Sequence, residues 1–385
     1  MTRASFPSLR RGLTASAPRA RLAMDIVSVL ALSLLAAVLT HRLLTSSGQG
    51  FDFETMWEAG RRALSGESPY PELDAKSIGE GTAFVYPAPA LGIFVPLGLL
   101  PYTAANVLFT TVALLCVPGG LLLLGVRDYR CFAVPLLWFP TLFAVRLGTI
   151  TPLLLLGLAA LWRYRDRSRI SVPVAVALVV LKIFLWPVLL WLLVTRRSRA
   201  AVAAAIAAGA TTIAAWATIG FHGLTAYPTL MSRLSAAEQG DSFSPTALWL
   251  AAGMGTTLAR AAAGALGLAL LVAAFVLARK PHGERRAFAL VIGAALACSP
   301  IVWPHYFLLL LVPIALASPR LSPLWFLPLL IWPATRSDGA LWPIVLTLSV
   351  AALALALAAR PQPLARPGDR AIRRRATLGK LEGAG

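Results

Sequence analysis

Two carboxylates, Asp52 and Glu54, stand two residues apart in the run Phe51-Asp52-Phe53-Glu54, interleaved with aromatic rings. A carboxylate in such a setting can take a proton from a hydroxyl group as that hydroxyl attacks. Partial burial against Phe51 and Phe53 raises its pKa, which suits a base acting near neutrality. The plainer alternative is an acidic residue that caps the helix following it. Two carboxylates are an incomplete oxygen shell for a metal ion, so no metal site is expected here.

Lys182 is the second candidate, placed inside the apolar run 171–194 with Pro187 soon after it. A lysine there is costly and marks a cavity or a paired partner, where its point charge would suit a phosphate group. If the helix is short, the side chain could instead snorkel to lipid headgroups. Arg146, in Arg146-Leu147-Gly148, invites the same two readings. His305 lies in Ser299-Pro300-Ile301-Val302-Trp303-Pro304-His305-Tyr306, where prolines and aromatics imply a shaped turn at the end of a span. It could bind a hydroxyl or phosphate oxygen or share proton handling, or be a structural histidine. Tyr86, in Tyr86-Pro87-Ala88-Pro89, sits where a proline turn starts a helix. The phosphate-binding G-x-x-x-x-G-K-[ST] loop, H-E-x-x-H and G-x-S-x-G do not occur. Cys116, Cys131 and Cys298 are far apart, so they read as packing residues rather than a disulfide framework or zinc site.

The elements that carry these residues follow from composition. The chain has 385 residues, 58% apolar and 13% charged, with a mean hydropathy of +0.74. A soluble domain is nearer a quarter charged, and a disordered chain is far less apolar. The fold class is therefore an all-α polytopic membrane protein, with room for on the order of ten to twelve transmembrane or re-entrant helices. The net charge of +19 sits in short clusters between apolar runs, as in cytoplasmic loops, so nucleic acid is not an expected partner.

Residues 1–21 carry five arginines and no acid, and the apolar run 22–44 follows as an uncleaved first span. These arginines place the N-terminus in the cytoplasm and the loop 45–83 outside. That loop holds seven of the sixteen acids. Within it, 53–64 has helical spacing, with Phe53, Met56, Trp57, Gly60 and Leu64 on one face, as in a helix lying on the membrane surface. It ends near Gly66, and Pro69 bars its continuation. From 84 to 125 two spans meet near Pro101, and 131–145 and 149–162 are each short for a crossing. Run 171–194 has arginine clusters at both ends, which conflicts with a single crossing. Two short helices that dip in and return resolve the conflict, provided they line a cavity or are buried in protein. Span 200–219 leads to a second polar loop at about 221–245, and apolar runs follow near 261–278, 287–299, 301–317, 323–334 and 341–359. The tail 360–385 is basic and expected in the cytoplasm, so 22–359 forms one membrane domain between two basic termini. Trp138, Trp162 and Trp249 read as interface anchors.

One ordered series of short motifs goes further. It runs Asp52-Phe53, Ala59-Gly60, Ala63-Leu64, Gly66-x-x-Pro69-Tyr70, Phe84-x-Tyr86-Pro87-x-Pro89, Pro96-Leu97 and Leu100-Pro101. Lys182 before the arginine cluster 196–199 and Ser299-Pro300-x-x-Trp303-x-His305 extend it. The series resembles the polyprenyl-phosphate-mannose-dependent mannosyltransferases of glycosyltransferase family 87, which have the GT-C fold. The family's usual Gly-Gln turn is here Gly148-Thr149, and Ile183, not proline, follows Lys182.

The resemblance implies an inverting hexosyl transfer on the outer face of the cell membrane. The donor would be a polyprenyl-phosphate sugar, most often mannose, and the acceptor a glycolipid or glycan. Asp52 falls at the family's general base, and Lys182 and His305 fall where family members line the cavity. The candidate set is thus Asp52 as catalytic base with Glu54, Arg62, Tyr86, Arg146, Lys182 and His305 binding substrate. No cofactor is expected, since a lipid donor needs no nucleotide motif. Two other readings fit the same sequence: a lipid or solute transporter (flippase) with a midplane site around Lys182 and Arg146, and a scaffold without chemistry.

Overall fold

The computed structural model describes residues 49–73, 76–79 and 83–361. The expected first span 22–44, the N-terminal stretch 1–21 and residues 362–385 of the tail lie outside the described residues. Every regular element described is helical, with no strand among the described residues.

The first helix, α1 (Phe51–Leu64), starts after Gly50. Its Phe53, Met56, Ala59 and Gly60 are buried, and the helix as a whole packs chiefly on α2 (Leu91–Gly98). The two helices touch closely, since a Cβ on Gly60 would lie 2.3 Å from the Phe94 carbonyl oxygen. Of the apolar face expected to lie on the membrane surface, Phe53, Met56 and Gly60 are therefore taken up by protein, while Leu64 stays exposed. The helix ends as its sequence requires: Glu67 N–H bonds the Arg62 carbonyl and Gly66 takes a left-handed φ of 79°.

Four described helices are long and apolar enough to cross a membrane: α3 (Tyr102–Leu123), α8 (Ser198–Thr218), α11 (Thr256–Ala278) and α14 (Leu341–Ala358). The pair expected to meet at Pro101 is unequal. Pro101 does begin α3, but α2 has eight residues and spans only about 12 Å. Between the long helices run shorter ones. Arg130–Leu137 and α4 (Phe139–Leu147) form one stretch bent by 68°. Then come α5 (Thr151–Tyr164), α6 (Ser168–Leu181), α7 (Pro187–Val194), α9 (Tyr227–Ala237), α10 (Pro245–Ala251) and α12 (Glu284–Cys298). A 3-10 stretch, Pro304–Leu310, continues into α13 (Leu311–Ala317), and another covers Pro323–Ile331. Such short pieces are stable only inside protein, where neighbours satisfy their ends.

The bend falls at Trp138, which is fully buried and donates its indole N–H to the Trp325 carbonyl at 3.0 Å. Trp138 is thus a core residue, not the interface anchor expected of it. Small residues on α11, Ala259, Ala263 and Gly267, are buried toward its neighbours, and α11 packs most extensively on α12. In a bilayer such close backbone approach, not apolar burial, drives helix association.

Contacts sort the loops into two ends. At one end Gly50 bonds Arg146, Tyr70 stacks on Trp216 at 5.0 Å, and Tyr227 bonds the Val85 carbonyl. At the same end Phe243 bonds Val302, and Gly339 bonds Gly240. At the other end Asp128 holds Arg130 and the Leu321 N–H, and Arg285 bonds the carbonyls of Ala358 and Arg360. There too Arg197 pairs with both Asp166 and Glu284. This last cluster settles the course of 168–194. Asp166 precedes α6 and Arg197 follows α7, yet they lie 2.6 Å apart. The segment returns to the end where it began, with Lys182 at its turn.

Gly148 locks α1 to the end of α4. Its φ is 71°, and a Cβ would sit 2.6 Å from Phe53 Cβ. Gly148→Ala is expected to cost at least about 1–2 kcal/mol from the left-handed backbone alone. A thermal unfolding midpoint of purified variant in detergent, compared with wild type, checks this; an unchanged midpoint would contradict it.

Candidate active site

Asp52 is fixed by its neighbours. Gly50 N–H donates to the Arg146 carbonyl at 2.7 Å, pinning the start of α1 to the end of α4. One residue on, Phe53 is fully buried and stacks on Phe109 at 4.9 Å. With Phe53 turned into the protein, Asp52 faces a cavity of about 450 Å³.

Lys182 reaches the same cavity from the opposite direction. The helix α6 stops at Leu181, and Lys182 takes an extended backbone (φ −145°, ψ 100°) before a 3-10 turn. Its Nζ donates to the Tyr306 hydroxyl at 2.9 Å and lies 4.0 Å from the centre of the Tyr86 ring. The rings of Tyr306 and Trp303 complete a cage, at 5.3 Å and 5.6 Å. A compact ammonium on an aromatic face is held by the ring quadrupole, so Lys182 is oriented rather than snorkelling.

His305 is 2% exposed and lines the cavity. Trp303 stacks over it at 5.9 Å, nearly parallel at 15°. Tyr86 lines the cavity too and accepts, through its own carbonyl, a hydrogen bond from the buried Tyr70 hydroxyl. Burial, with Asp52 next in effect, holds the Tyr86 hydroxyl well above its ordinary range, so it stays protonated.

The cavity has an electrostatic signature. Burial pushes the Asp52 carboxyl up to about 7, against the lowering effect of the Lys182 ammonium and with a further rise from Glu238. Asp52 lies in α1, outside the spanning helices. A carboxyl with that affinity can accept a proton near neutrality and give it up again. Among the described residues no group of three or more His, Cys, Asp or Glu side chains could hold a metal ion.

The structure thus brings Asp52, Tyr86, Lys182 and His305 together. It places Glu54, Arg62 and Arg146 elsewhere. Helical rotation of about 100° per residue turns Glu54 roughly 200° away from Asp52. Glu54 and Arg62 line a neighbouring cavity of about 430 Å³ with Glu58. Arg146 contributes its carbonyl to Gly50, and its side chain is not part of the Asp52 cavity wall.

A third wall has no local signature in the sequence. Glu238 and Asp241, from the second polar loop, and Arg336 and Asp338, from the loop before α14, all line the cavity. Their only sequence signal was charge in loops between spans. What joins them is long-range: the Gly240 carbonyl accepts from Gly339 N–H at 2.7 Å and from the Ser337 hydroxyl at 2.6 Å.

A base, a caged cation and a polar wall around one cavity can deprotonate a hydroxyl and steady an anionic leaving group. No curated protein and no solved structure matches the chain. The sequence model of glycosyltransferase family 87 matches residues 84–300, more than half of the chain. That stretch holds Tyr86, Lys182 and Glu238 of the cavity lining, while Asp52 and His305 lie outside it. The chain belongs to glycosyltransferase family 87 and is a membrane glycosyltransferase.

Proposed function

We propose that the protein transfers a sugar, mannose by the resemblance of its motifs, from a polyprenyl-phosphate donor to a glycolipid or glycan acceptor. The observation that carries this reading is the meeting of Asp52 and Lys182 in one cavity. Asp52 takes the proton of the acceptor hydroxyl. The hydroxyl oxygen bonds to the anomeric carbon as the bond from that carbon to the phosphate oxygen breaks. Charge at the carbon is oxocarbenium-like in between, and polyprenyl phosphate leaves toward the Lys182 ammonium. One base and one departure direction make the transfer inverting.

The membrane setting supports a lipid donor. Ile183, next to Lys182, is 70% exposed, and Trp186 is 38% exposed. These apolar side chains give a lipid tail a surface beside the phosphate position. The end away from the cavity carries Arg163, Arg165, Arg167, Arg169, Arg196, Arg197 and Arg199. By the positive-inside rule that end is cytoplasmic and the cavity faces outward, and the basic sequences of both termini assign them to the cytoplasm.

A base must be deprotonated to act, so kcat/KM rises with pH through about 7, where the Asp52 carboxyl ionises. A pH profile of the purified enzyme checks the sign and position; a flat profile from pH 5 to 8 would remove Asp52 as the base. The function itself is tested in isolated membranes with labelled polyprenyl-phosphate mannose, glucose and arabinose. Label moving from one of them to a lipid or glycan is expected. Label that stays on every donor would contradict the reading.

A further inference from the structure

We propose that Glu238 and Trp303 form the subsite that reads the ring hydroxyls of the donor sugar. The proposal rests on the reading of this cavity as the transfer site and names what recognises the sugar within it.

Glu238 opens a 3-10 turn at the end of α9 and lines the cavity. Its Oε2 accepts the Trp303 indole N–H at 3.3 Å. That bond fixes the carboxylate and leaves its other oxygen available to a ligand. The two loops are also joined by backbone: Phe243 N–H bonds the Val302 carbonyl at 2.7 Å, and Val302 N–H bonds the Ser242 hydroxyl at 3.1 Å. The wall is therefore built before substrate arrives.

A second observation points to a polar ligand at this wall. His305, stacked under Trp303, is 2% exposed, and its Nδ1 has no hydrogen-bond partner among the described residues. A buried polar nitrogen without a partner costs about 1–3 kcal/mol, and a ligand hydroxyl would relieve it. A carboxylate only accepts, so it selects hydroxyl donors. An indole face suits the C–H side of a sugar ring.

The donor sugar, not the acceptor, fits here. Lys182 Nζ lies 5.6 Å from the Trp303 ring, and the donor sugar is one bond from the phosphate that Lys182 would hold. In-line displacement puts acceptor and phosphate on the two ends of one axis. The remaining ring hydroxyls must then face a side wall, and Glu238 is close enough to Asp52 to affect its carboxyl.

The test compares purified wild type, Glu238→Gln and Trp303→Phe on polyprenyl-phosphate mannose and its glucose epimer. Glutamine keeps a carbonyl for Trp303 and loses the charge. The ratio of kcat/KM between the two donors is expected to fall by about 10- to 100-fold, as for loss of a charged hydrogen bond, mainly through KM. A folded Glu238→Gln protein with wild-type discrimination would overturn the proposal. If that variant does not accumulate in the membrane, Trp303→Phe decides by the same ratio, since it frees Glu238 while keeping a ring. A wild type that uses no lipid-linked sugar at all overturns the underlying function and this subsite together.

Discussion

Asp52→Asn lowers sugar transfer by about 10²- to 10⁴-fold, the usual contribution of a positioned base, while the protein still inserts and folds. The isosteric amide leaves the clamp around Asp52 untouched. That clamp is the Gly50–Arg146 backbone bond and the Phe53–Phe109 stack, neither of which uses the carboxylate. The loss should therefore appear in kcat and leave the thermal midpoint in place. Initial rates on the preferred lipid-linked sugar, at protein levels matched by blot, measure it. A variant within threefold of wild type would show that another group takes the proton, and Glu238 would be the next residue to test.

Lys182→Ala is expected to reduce transfer by about 10²- to 10³-fold, the scale for removing one preorganised partner of a developing anion. Lys182→Arg should restore little of it. The ammonium sits 2.9 Å from the Tyr306 hydroxyl and 4.0 Å from the Tyr86 ring. A planar guanidinium differs in shape and donor geometry from the ammonium that these rings surround. Kinetics of both variants across donor concentrations separate the effects. If the two lost only donor affinity and kept kcat, Lys182 would bind the ground state and leave departure of the phosphate unassisted.

Much of this site was legible in the residues because ionisable groups are expensive in a membrane. Lys182 stood out in an apolar run, and the arginine clusters on both sides of 171–194 required a segment that returns. The contact of Asp166 with Arg197 is the physical form of that requirement. Asp52 stood out for the same reason, as an acid just past a long apolar run.

Other features were not legible, each for a definite cause. Glu54 looked like a partner of Asp52 because adjacency in sequence ignores the turn of a helix, which sends it to the neighbouring cavity. Trp138 looked like an anchor because tryptophan favours interfaces, but a 68° bend carries it into the core. The amphipathic face of α1 matched a membrane surface equally well until Gly60 was seen against the Phe94 backbone. Glu238 and Asp338 come from loops about a hundred residues apart, tied through the Gly240 carbonyl. No local pattern encodes that meeting.

Anomeric configuration tests the central claim most directly, that a single displacement occurs between Asp52 and Lys182. Enzyme reconstituted in lipid nanodiscs would be given polyprenyl-phosphate sugar labelled at the anomeric carbon, and the product read by NMR. The account predicts a product of inverted configuration from the wild type. Retention would mean two successive displacements or attack on the face from which phosphate departs, and would contradict a single in-line displacement with Asp52 as base.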